Sequence, residues 1–144
     1  MGAFKLVLFA FIFSFNLSWS QNIVGKEYTM VDADNIYGPV ITSVQISSNF
    51  LISLTNSTVN FIMFRINNGN LIILGDNRKS LHPSGIKISP QDEMRVFSVS
   101  LLKKLISDGN ETNTKIEIRN NNILTLTNGN YTLEMSWPCP PTCD

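Results

Sequence analysis

Apolar and polar residues alternate most cleanly in the last third of the chain. In KIEIR (115–119) Ile116 and Ile118 fall between Lys115, Glu117 and Arg119, and in ILTLT (123–127) Leu124 and Leu126 share a face. In YTLEMSW (131–137) Tyr131, Leu133, Met135 and Trp137 alternate with Thr132, Glu134 and Ser136. A period of two, interrupted by Asn- and Gly-rich turns, predicts antiparallel hairpins with one face on the core and one in water. Asn128-Gly129 is a strong hairpin signal, because both residues accept the positive φ of a primed turn. The region reads as a three-stranded meander whose last strand runs to Trp137.

Upstream, VITSVQIS (40–47) and FLISLT (50–55) predict two further strands, and KEYTMV (26–31) a first, edge strand. VNFIMFRI (59–66) and LIIL (71–74) flank Asn68-Gly69 and form another hairpin. Phe61 to Phe64 are apolar on both faces, which suits a central strand covered on each side and would be an aggregation hazard at an edge. The stretch 89–109 carries two signals. Ser89, Pro90, early acids and Gly109 spell a helix with Met94, Phe97, Leu101 and Leu105 near one face. Phe97, Val99 and Leu101 instead alternate with Ser98 and Ser100, and VFSVS is a poor helix former. The balance favours a strand over 94–101 followed by a helical turn near LLKKLI.

About eight short strands spaced by turn signals every 8–12 residues predict an all-β fold. The expected architecture is an antiparallel β-sandwich or Greek-key barrel, Ig-like in general character. Its sheet topology is not legible from the pattern.

The first residues change the picture of where this domain works. Lys5 precedes an unbroken apolar run from Leu6 to Phe13, and Ser18-Trp19-Ser20 follows. A basic start, an apolar core of roughly 7–15 residues and small residues before the cut describe a secretory signal peptide. Residues 1–20 are expected to be removed, leaving 21–136 as the β-domain and 137–144 as a Cys/Pro tail. A spanning helix needs about 20 apolar residues, and Ser14, Asn16 and Ser18 interrupt this one too early. Leu6 stands where a myristoylation signal needs Ser or Thr, and no cysteine lies near the cut for a lipoprotein anchor. No later segment is long and apolar enough to span a bilayer. The mature protein is therefore expected to be secreted, extracellular or periplasmic, with no membrane span.

Bases and acids balance at 11 each, and removing Lys5 leaves the mature chain with one more acid than base. Without a basic stripe, nucleic-acid binding through phosphate neutralisation has no support. Asparagines cluster in NNGN, NNN and NGN, where their tolerance of positive φ suits turns.

Chemistry is sparse. His82 is the single histidine, and no nucleophile elbow, zinc-protease helix or glycine-rich phosphate loop occurs. His82 lies in the polar loop GDNRKSLHPSG (75–85), which gathers Asp76, Asn77, Arg78 and Lys79. Loops carry binding sites, so this one is the candidate ligand-contacting surface; a solvated connection is the plainer reading. Asp32 and Asp34 suggest a calcium loop, but Ile36 occupies a ligand position and the late Glu is missing. Sequons at Asn56, Asn110 and Asn130 are glycan acceptors if the source is eukaryotic.

Cys139 and Cys143 stand in CPPTC near the end of the chain. Structural zinc needs four ligands, and Cys139, Cys143 and His82 supply three. A thioredoxin-type redox pair has shorter spacing and a following helix. CPPTC locally resembles the Cys-Pro-x-x-Cys copper motif of Sco-type copper-delivery proteins, over five residues. That resemblance implies a thioredoxin-like fold and a downstream histidine, whereas His82 lies upstream and the body reads as β. A Cys139–Cys143 disulfide suits an exported chain with an even cysteine count; an intermolecular bridge is the competitor. No metal and no cofactor is expected.

The functional expectation is a secreted, non-enzymatic domain that binds a protein or carbohydrate partner through its loops. A structural or accessory subunit joined through sheet edges or tail is the second reading, and a small exported hydrolase using His82 the third. N-terminal sequencing of the exported protein should begin at Gln21; an intact Met1 would refute the cleavage.

Overall fold

The computed structural model describes residues 22–143; the expected leader lies outside them. Among the described residues, ten strands form two five-stranded antiparallel sheets. The first sheet has the order β1 (Lys26–Thr29), β9 (Tyr131–Glu134), β8 (Ile123–Asn128), β7 (Asn113–Arg119), β2 (Val40–Ser47). The second has the order β10 (Trp137–Cys139), β6 (Met94–Ser98), β3 (Phe61–Asn67), β4 (Asn70–Leu74), β5 (Ser80–His82). The layers are sandwich-like, and the barrel alternative is corrected: the sheets do not close.

The all-β expectation is corrected too. Three helices are interleaved: α1 (Met30–Tyr37), α2 (Ser48–Leu54) and α3 (Val99–Gly109). α1 replaces the end of the expected 26–31 strand. Thr29 caps it, its Oγ1 accepting from the Asp32 N–H at 3.2 Å, and Gly38 ends it at φ 79°. The Thr-x-x-Asp pattern is a helix start. α2 replaces the strand expected at 50–55, with Ser47 as N-cap. It lies where the chain crosses from one sheet to the other, so Leu51 enters the inter-sheet core instead of a ladder. At 89–109 the strand is confined to β6, and the expected helical turn is a full helix. Val99, Leu102 and Leu105 are buried at helical spacing, and Asn110 closes α3 in the left-handed conformation. Packing on β6, β8 and β9 outweighs the β-propensity of Val99.

The two hairpins and the meander stand as predicted. Phe64 pairs with Ile73 and Asn67 with Asn70; Ile116 pairs with Leu126, and Leu126 with Leu133. β3 is central, covered on both faces: Ile62 and Phe64 enter the inter-sheet core, while Met63 joins a second cluster on the outer face. The last strand, however, stops at Glu134. Met135 adopts φ 61° and the chain changes sheets, so that Trp137 pairs with Val96.

The meander's polar face is not in water. Glu117, Arg119, Thr125, Thr127, Thr132 and Glu134 are all buried, and α1 packs over β1 and β9 with Ala33 fully enclosed. Arg119 reaches Asp34 Oδ1 at 2.5 Å and the Gly38 carbonyl at 2.7 Å, tying α1 to β7. Thr127 donates to Glu117 at 2.8 Å. The Tyr37 hydroxyl donates to that of Tyr28 at 3.1 Å; burial, and then this bond, raises its pKa.

Glu134 is the exception in this layer. Its Oε2 accepts from the Met135 N–H, and its buried Oε1 has no partner. Burial pushes its carboxyl up to about 7, against the opposing pull of the Met135 N–H and of Arg119. The folded state thus holds this proton more tightly than the unfolded chain, whose value is 4.5. Its contribution is complete below that value and lost as pH rises through about 7. Glu134→Gln should match the wild type near pH 4 and exceed its unfolding free energy by roughly 2 kcal/mol at pH 8. Parallel denaturation curves at both pH values provide the check; an unchanged difference would refute it.

Candidate functional site

The loop at 75–85 begins as a structural junction. The Asp76 carboxylate accepts three backbone N–H bonds, from Val59 (2.9 Å), Asn60 (3.1 Å) and Phe61 (2.8 Å). Its own N–H donates to Thr58 Oγ1 at 2.9 Å, and that hydroxyl donates to the Phe61 carbonyl at 2.7 Å. Burial alone would raise the Asp76 pKa; the backbone donors and Thr58 outweigh it and hold the carboxyl below its ordinary value. Asp76 therefore fastens the entry of β3 to the exit of β4.

Arg78 performs the corresponding task for the C-terminal tail. Its guanidinium donates to the Cys139 carbonyl and to Cys139 Sγ, each at 3.1 Å. It also reaches the carbonyls of Ser89 (3.1 Å) and Asp92 (2.9 Å). A planar fork with several donors can serve such a set of acceptors, which a lysine could not. Cys139 and Cys143 form a disulfide within the chain. Cys139 is fully enclosed, packed with Met63, Ile72, Leu74, Met94 and Val96 on the outer face of the second sheet. The bridge is thus part of a second hydrophobic cluster, and the intermolecular alternative is excluded.

Asn77 and Lys79 are exposed, while Asp76 and Arg78 are taken up by the internal bonds above. His82 ends β5, half-buried, with its ring edge-on to Phe50 at 5.5 Å. It borders a groove of about 330 Å³ that also presents Asn67, Asn70, Pro83 and Ile86. Asp32 and Asp34, the calcium pair, have protein partners: Asp32 bonds Thr29 and Asp34 bonds Arg119. Among the described residues, no group of three His, Cys, Asp or Glu side chains gathers to hold a metal. Asn56, Asn110 and Asn130 of the sequons are all exposed.

Sequence reasoning did not single out β2. It is the edge of the first sheet, eight residues long, and VITSVQIS contains no charge and no proline. Thr42, Ser43, Gln45 and Ser47 are exposed, and Ile41 is 67% exposed. Ile36 and Val40 add exposed apolar surface at its start. The other edges are short: β1 has four residues with Lys26 and Glu27, while β5 and β10 have three each, β10 containing Pro138. Charges, prolines and shortness are the usual guards of a sheet edge. β2 has only one such device, a bulge between Val40 and Thr42. The missing charge was visible in the sequence; that this strand lies at an edge was not.

No protein-family model, curated protein or solved structure matches the chain.

Replacing Arg78 with Met should lower the unfolding free energy by about 2 kcal/mol, since the part-buried carbonyls of Cys139 and Asp92 lose their donor. The tail should also become susceptible to carboxypeptidase. Unchanged stability and resistance would mean that Arg78 is free to serve a ligand.

Proposed function

We propose that the chain is an exported, non-enzymatic β-sandwich domain that binds a protein partner by adding the partner's strand at β2. The observation that supports this is the open edge. Its backbone groups beyond β7 face outward over an uncharged, exposed strand, the situation that strand addition uses. Ile36, Val40 and Ile41 supply apolar contact beside it. Asp76 and Arg78, two of the three charged residues of the predicted binding loop, are committed to internal bonds. That shifts the reading from loops to edge.

A second reading, a carbohydrate ligand, rests on the groove beside His82. Asn67 and Asn70 offer amides there, and Pro83 and Ile86 an apolar floor. The two are separated by screening the protein on arrays of extended uncharged peptides and of glycans. With Thr42→Lys and Ser43→Lys combined, both at exposed positions, peptide binding should fall at least about tenfold. Glycan binding lost on His82→Ala but kept in the edge variant would favour the groove instead.

A further inference from the structure

We infer that the strand received by β2 is β2 of a second copy, paired antiparallel about a two-fold axis at Val44. This rests on the strand-addition reading above and names its partner. The sequence of the edge carries the argument. In an antiparallel pair, residues directly opposite one another share a face of the sheet. Centring the pair on Val44 places Val44 opposite itself, Thr42 opposite Ile46 of the second copy, and Ser43 opposite Gln45 of the second copy. Val44 and Ile46 pack against the inter-sheet core of their own domain and are only half-buried. In this register their faces join, so the apolar layer continues from one domain into the next. The exposed Ser43 and Gln45 meet each other on the polar side. A shift by one residue would set Val44 opposite Ser43 or Gln45 and break both layers.

Charge adds a second condition. Self-pairing sets two copies of the same strand side by side, so an edge carrying charge of one sign would repel its copy. None of the residues 40–47 is charged. The bulge before Thr42 limits the straight ladder to residues 42–47, and apolar groups flank both ends. Val40 and Ile41 stand before it, and Phe50, 39% exposed, follows it on α2. The two-fold axis carries the Val40–Ile41 end of one copy toward the Phe50 end of the other. Closure by this axis consumes both edges at once, giving a dimer with one continuous ten-stranded sheet and no further growth through β2.

The test uses the mature protein in sedimentation equilibrium over a wide concentration range. The wild type should pass from monomer to dimer. Ser43→Lys combined with Gln45→Lys sets like charges opposite each other across the axis and should weaken association at least about tenfold. Ser43→Lys combined with Gln45→Glu sets opposite charges there and should retain it. The register is read directly by Val44→Cys, since no free cysteine occurs among the described residues. The introduced thiols should cross-link under mild oxidation much faster than those of Lys103→Cys on the exposed face of α3. A wild type that stays monomeric, a double-lysine variant that associates as tightly as wild type, or equal cross-linking of both cysteine variants overturns the inference. If the monomer nevertheless captures uncharged peptides at β2, strand addition stands and self-pairing alone fails.

Discussion

Arg119 is 1% exposed, and a buried guanidinium must have its donors answered. Thr125, Asp34 and the Gly38 carbonyl answer them, with Glu117 at 3.6 Å. This requirement brings α1 across the outer face of the first sheet, because two of its acceptors lie in that helix and its cap. Once α1 is seated, the threonines and glutamates of β7, β8 and β9 lose contact with water. They must then bond to one another, as Thr127 does with Glu117 and Thr132. Glu134 is left with one oxygen unpaired, and its burial raises its pKa.

The second sheet reaches the same end by other means. Its outer face is apolar, and Ile86, Ile88, Trp137 and the disulfide cover it. A single side chain, Arg78, gathers the carbonyls of the covering segments. The flanks between the sheets are filled by α2 and α3. With both outer faces covered and three edge strands short, β2 is the longest open edge among the described residues.

How much of this was legible depends on the range of the interaction concerned. The Asn68-Gly69 turn, the meander registers and the central position of β3 follow from local alternation and turn chemistry, and they stand. α1 also left a local trace, the Thr29 and Asp32 cap, outweighed by the strand-like KEYT before it. The fate of FLISLT was not local: the same apolar residues serve a strand or a helix, and the crossing between sheets selected the helix. Asn128 shows the same division. Its place at a hairpin turn was readable from Asn-Gly. Its side chain, however, is fully buried, bonding Ser48 and Thr114. A Cβ at Gly109 would stand 2.2 Å from its Oδ1.

By itself, the sequence determined the period-two strands of the meander and their turns, because these depend on neighbours a few residues apart; it favoured a disulfide between Cys139 and Cys143, and the structure placed that bond within the chain. Burial of the polar face, the internal tasks of Asp76 and Arg78, and the edge position of β2 were decided only by tertiary structure. Alternation says that a residue faces away from one core. It does not say whether water, a helix or a second chain lies on the other side, since that depends on segments distant in sequence.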